Sequence, residues 1–143
     1  MTSILIGIDS SEASDRAVAL GLRLAKAASA KVIVVHAIPW SPYSFQTNEE
    51  NEFRAGEREH EIEAATTQLL EPVLAKAKES GVEVEGITRH GHPVEILVDL
   101  AEELNVDHIV VGRTGESRMK KVLYGGIPGR LILNSPVAVT VVP

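Results

Sequence analysis

Five apolar runs of strand length recur along this chain, separated by longer stretches with helical spacing. They are Ile4 to Asp9 (ILIGID), Lys31 to Ile38 (KVIVVHAI), Val82 to His90 (VEVEGITRH), Asp107 to Gly112 (DHIVVG) and Val137 to Val142 (VAVTVV). Four of the five lack strict polar alternation, which marks strands covered on both faces. The third sets Val82, Val84 and Ile87 among glutamates and reads as an edge strand. Repeated βα units connect through right-handed crossovers, so the expected fold is α/β, a doubly wound parallel sheet with helices on both faces. Ligands of such sheets sit at the carboxyl ends of the strands, beside the point where strand order reverses. Asp9 ends the first strand and Gly112 the fourth. If those two strands are neighbours, both residues face one crevice.

The helical stretches carry their own signals. Ser10 or Ser11 can cap a helix whose stripe is Ala17, Leu20, Leu24 and Ala28. Pro93 suits a first helical position, Glu95 complements the positive end, and Ile96, Leu97, Leu100 and Leu104 form the apolar face. From Glu57 to Ser80 the spacing is again helical, with a kink or a new start at Pro72. Pro39 to Gly56 reads as a long loop and holds Pro42 and, in Trp40, Tyr43 and Phe45, most of the chain's few aromatics.

A chain of 143 residues is one ordinary domain, expected to span 1–143, and 44% hydrophobic residues suffice for a core. The absence of cysteine excludes disulfides and thiolate metal sites. No signal peptide or membrane-length apolar run is seen, so a cytoplasmic location is the default expectation. A net charge of −6, without a basic stripe interleaved with aromatics, argues against nucleic acid as a partner. No G-x-S-x-G, G-x-G-x-x-G or G-x4-G-K-[ST] pattern occurs, which weighs against esterase, dehydrogenase and P-loop ATPase readings.

The chemistry concentrates in Val110 to Arg130, where an apolar run ends on Gly112 and glycines follow at 115, 125, 126 and 129. A strand that delivers glycines into a loop ahead of a helix can lay backbone N–H groups against a phosphate. A nucleotide is the first ligand class to consider. His90 and His92 lack a third ligand at convincing spacing for a metal, and His36 and His108 read as hydrogen-bonded strand histidines.

The first strand ending in IDSS, the helix opening GHPVEILVDLA, and VVG followed by G-x2-G-x9-G (Gly112, Gly115, Gly125) together resemble the universal stress protein family. The likeness covers the chain except Pro39 to Gly56. It implies a five-stranded parallel sheet in the order 3-2-1-4-5, a homodimer through Val137 to Val142, and a bound adenine nucleotide such as ATP, ADP or AMP, with magnesium as a possible companion. Carried over by position, the resemblance places Gly7 and Asp9 on the first strand's side of the site, with Asp9 beside the adenine or ribose. It puts Ala37 at the adenine edge, and Val111, Gly112, Arg113, Thr114 and Gly115 along the ribose and phosphates. Gly125, Gly126 and Ile127 would offer N–H groups to the phosphates.

The chain departs from that pattern at Gly126, where the family has Ser or Thr, and at Pro128. A hydrogen bond lost to a charged group weakens binding by roughly ten- to over a hundredfold. Gly126→Ser is therefore expected to strengthen triphosphate binding. Arg113, Arg118, Lys120 and Lys121 are available to compensate by pairing with phosphate oxygens. Asp9 has a structural alternative, capping the following helix through backbone N–H groups. Two other functions stay open: a dimeric stress adaptor that has lost the nucleotide, and a slow ATP hydrolase or autophosphorylating protein. Catalysis is expected to be absent or slow, since no positioned base is identified near the phosphates and Glu116, the nearest candidate by sequence, reads as a solvent-facing loop residue.

Overall fold

The computed structural model describes residues 2–38, 48–113 and 126–143, and of residues 48–55 and 58 the backbone alone. Strands β1 (Ser3–Ile8), β2 (Lys31–Ile38), β3 (Val84–His90), β4 (His108–Gly112) and β5 (Ala138–Val142) form one sheet in the order β3-β2-β1-β4-β5. Every pairing is parallel. The third run is an edge strand, as its glutamates imply.

Successive strand residues point to opposite faces, and both faces are apolar. Ile4, Ile6 and Ile8 join Val32, Val34 and Val110 under α1 (Glu12–Ala28) and α3 (Glu71–Glu79). Leu5, Ile33, Val35, Ile109 and Val111 pack beneath α4 (Pro93–Glu103) and α5 (Gly126–Asn134). Helices on both faces explain why these strands carry almost no polar alternation. Leu100 of α4 and Leu131 of α5 are fully buried, and truncating either to Ala would cost about 2–5 kcal/mol.

α1 begins where the Ser11 hydroxyl accepts the Ser14 N–H at 3.1 Å. Its buried face is Ala13, Ser14, Ala17, Val18, Gly21, Leu22 and Ala25, about one position away from the expected stripe. Leu20 and Leu24 are partly buried and Ala28 is exposed. The small residues of the helix decide this, because Gly21 lets α1 settle against Ile6 of β1. Of the expected stripe Ala17 is fully buried, and the remainder is displaced because the face is selected for close approach.

α4 starts at Pro93 and buries Ile96, Leu97 and Leu100 as expected, but Leu104 is 39% exposed. The helix has already ended there: Asn105 takes φ 51°, and the Val106 N–H reaches back to the Ala101 carbonyl at 3.1 Å. Asn tolerates this left-handed stop, and buried Val106 supplies the apolar contact that accompanies it.

Within the expected loop from Pro39 to Gly56, the chain is helical from Asn48 onwards. Helix α2 runs Asn48–Ala65 and includes Gly56, which has no atom within 4 Å of the space a Cβ would fill. An exposed glycine weakens such a helix without ending it. Trp40, Pro42, Tyr43 and Phe45 lie outside the described residues. At Pro72 a new helix starts, one of the two outcomes expected there. A π-helical turn at Thr66–Leu70 absorbs the change, and α3 opens with the proline in its first turn.

Candidate functional site

β1 lies between β2 and β4, so the strand order reverses between β1 and β4. Register then aligns the sequence-expected residues along one edge. Ile8 pairs with His36, which puts Ala37 level with Asp9, and Ile6 pairs with Val110, which puts Gly112 level with Ile8 and Arg113 level with Asp9. The carboxyl ends of three adjacent strands thus carry Ala37, Asp9 and Arg113 side by side. Crossover connections put α4 and α5 on one face of this edge, so both helices open towards it.

Asp9 is built into the turn that starts α1. One carboxylate oxygen accepts the Ser11 N–H at 2.8 Å, while the Asp9 N–H donates to the Ser14 hydroxyl at 3.0 Å. Ser14 is 3% exposed. Its hydroxyl fixes the β1–α1 turn from beneath, a role sequence reasoning missed although the spacing Asp9-x-Ser11-x2-Ser14 carried it. The turn holds the Asp9 side chain in place at the edge and leaves it only half buried.

Gly112 has a reason to be glycine that is independent of any ligand. A Cβ there would stand 2.8 Å from the backbone carbon of Ala13, so α1 rests directly on the end of β4. Gly7 is similar, with Leu97 and Val111 side chains 3.1–3.2 Å from the position of its missing Cβ. Val111 is 5% exposed and its side chain belongs to the core beneath α4. Ala37 packs at the margin of the same core. The Arg113 N–H donates to the Val142 carbonyl at 2.6 Å, continuing the sheet, while its side chain is exposed.

Gly126 and Ile127 form the start of α5. Gly126 has φ 58°, a left-handed conformation that costs other residues roughly 1–2 kcal/mol. That corrects the simple expectation for Gly126→Ser: the added hydroxyl arrives together with backbone strain. Ile127 is partly buried against the α4–α5 core, which anchors the first turn of α5. Thr114, Gly115 and Gly125, with Glu116, Arg118, Lys120 and Lys121, lie outside the described residues.

The histidines are structural partners. His108 Nε2 is 2.6 Å from the Thr140 hydroxyl across β4 and β5, and His90 Nε2 is 2.9 Å from the Glu61 carboxylate of α2. Among the described residues no group of three His, Asp or Glu is placed to hold a metal ion. Nor, among them, is any helix long and apolar enough to cross a membrane.

A parallel sheet of order β3-β2-β1-β4-β5, with helices on both faces, defines a doubly wound α/β domain. The sequence matches the Universal stress protein family over residues 1–143, and the chain belongs to that family. The universal stress protein YxiE of Bacillus subtilis is 28% identical over 152 residues, covering 97% of this chain and 97% of that protein. Among solved structures, a universal stress protein in complex with cAMP superposes with a TM-score of 0.73 at 25% identity, over 99% of this chain and 97% of the other. A hypothetical protein whose biochemical function was assigned from its structure superposes with a TM-score of 0.81 at 25% identity, over 99% and 94% of the two chains.

Proposed function

We propose that this universal stress protein binds an adenine nucleotide in the β1–β4 crevice and serves as a homodimeric stress-response or signalling module. The observation that carries the reading is the register: Ala37, Asp9 and Arg113 stand level on three adjacent strands, at the sheet edge towards which α5 opens. The backbone of Ala37 would meet the adenine edge, and Asp9, held by Ser11 and Ser14, the base or ribose. The chain from Val111 to Gly115 would follow the ribose and phosphates, and the N–H groups of Gly125, Gly126 and Ile127 would take phosphate oxygens at the positive end of α5. The related protein that holds cAMP supports the choice of an adenine nucleotide. A magnesium ion accompanying a triphosphate would be held mainly by phosphate oxygens and water.

Calorimetric titration of the purified protein with ATP, ADP, AMP and cyclic AMP, with and without magnesium, tests the reading. Measurable heat and a raised melting temperature are expected for at least one of them, because a ligand selective for the folded state stabilises it by mass action. Silence from all four would overturn it. The dimeric adaptor without nucleotide would then be favoured by the internal roles of Asp9 and Gly112, which the fold needs with no ligand present.

A further inference from the structure

His92 and Arg130 meet across the two helices that open at this edge, and the chemistry of their contact is unsatisfied. His92 caps α4: its Nδ1 accepts the Val94 N–H at 3.2 Å. A neutral imidazole has a single acceptor nitrogen, so Nδ1 and Nε2 cannot both accept. The Arg130 guanidinium, which only donates, places Nη1 2.8 Å from that same Nε2. His92 thus meets two donors with one acceptor, and in either tautomer one of them is left unmet. Among the described residues no carboxylate pairs with Arg130, whose side chain is exposed.

We infer that His92 and Arg130 form a clasp for the outer phosphates of the nucleotide, an assignment that rests on the proposed function. An anionic oxygen between the two side chains accepts from both and meets the donor left unmet. Arg130 is four residues after Gly126, on the same face of α5, and helical side chains lean towards the amino end of their helix. Its guanidinium therefore extends towards the turn where Gly126 lacks the hydroxyl common in the family. His92 approaches from α4, which packs beside α5 on the same face of the sheet. The clasp supplies charged donors in place of the missing neutral one, and it acts on the β- and γ-phosphates rather than on the base.

The test is a comparison of ATP, ADP and AMP affinities for the full-length protein and for Arg130→Gln and His92→Asn. Asn is a strong helix cap, so His92→Asn keeps the start of α4 while removing the ring. Each variant should lose about tenfold or more in ATP affinity and stay within about twofold for AMP, with an unchanged melting temperature in the absence of ligand. Tripolyphosphate alone should compete far more weakly than ATP; equal competition would make the pair a general polyphosphate site and overturn the assignment. If the unmodified protein binds all three nucleotides and both variants leave the ATP-to-AMP ratio unmoved, this inference falls and the proposed function stands. If it binds none, both fall.

Discussion

The two edges of the sheet are built on opposite principles. β3 exposes Glu85 and Arg89, with Glu83 just ahead of it, and each of the two strand charges is engaged: Lys31 is 2.8 Å from Glu85 and Glu103 is 3.6 Å from Arg89. β5 carries no charge from Val137 to Val142. The helix leading into it leaves Leu133 85% and Ile132 56% exposed. Charge along an edge strand discourages pairing with another chain, whereas an uncharged apolar edge invites it. One sheet thus has a protected end and an open one. A second copy of the chain, joined through β5 about a two-fold axis, would close the open end without filament growth.

The largest effect should come from removing a hydrogen-bond donor on the open side of β5. The Val142 carbonyl accepts the Arg113 N–H of the β4 side, and alternate residues of a strand turn their backbone groups to opposite sides. Ala138, Thr140 and Val142 therefore turn their backbone groups towards β4, while Val139 and Val141 turn theirs outwards. Thr140→Pro would damage the sheet within the subunit. Val141→Pro removes only an outward donor, twice per dimer, and should weaken the dimer by about a hundredfold, at roughly 1–3 kcal/mol for each unsatisfied partner. Light scattering coupled to size exclusion would read this as a shift to monomer, and an unchanged dimer would place the interface elsewhere.

Leu133→Lys sharpens the comparison at lower amplitude. A residue this exposed contributes little to the subunit's own stability, so in the monomeric Val141→Pro background the unfolding free energy should move by no more than about 0.5 kcal/mol. Dimer affinity in the unmodified background should fall severalfold if the partner covers the carboxyl end of α5. A charge there without consequence for assembly would confine the contact to the strand itself.

The smallest effect belongs to the protected edge. The hydrogen bond from Lys31 to Glu85 raises the lysine above its ordinary range. A raised pKa means that the stabilisation is complete below the ordinary lysine value and disappears as the pH climbs through the raised one. Alkaline titration should therefore depress the melting temperature of the unmodified protein slightly more than that of Glu85→Gln, with the oligomeric state of both unaltered at neutral pH. Parallel curves would show that the pair contributes nothing to the edge.

Sequence and structure divide the explanation at identifiable residues. Strand positions are legible because both faces of this sheet are covered, so apolar runs alone mark them, and the cap at Ser11 and the helix start at Pro93 follow from local backbone chemistry. The buried face of α1 is not legible in the same way. Gly21, Ala17 and Ala13 matter for how closely the helix approaches β1 and β4, a quantity with no trace in hydrophobic periodicity. The start of α2 is obscured by Gly56, whose cost depends on surroundings that are open in the fold. The candidate site is legible in outline, since Asp9 and Gly112 each end a strand.

By itself the sequence determined the alternation of strand and helix, the charged and uncharged edges, and the glycine spacing after β4, because each depends on residues near in the chain. Only the tertiary structure decided that β1 neighbours β4, that Ala37, Asp9 and Arg113 stand level, that Gly112 makes room for Ala13, and that His92 meets Arg130. Those are contacts between residues up to about a hundred positions apart. They are fixed by strand order and by how closely helices approach the sheet, and local preference encodes neither.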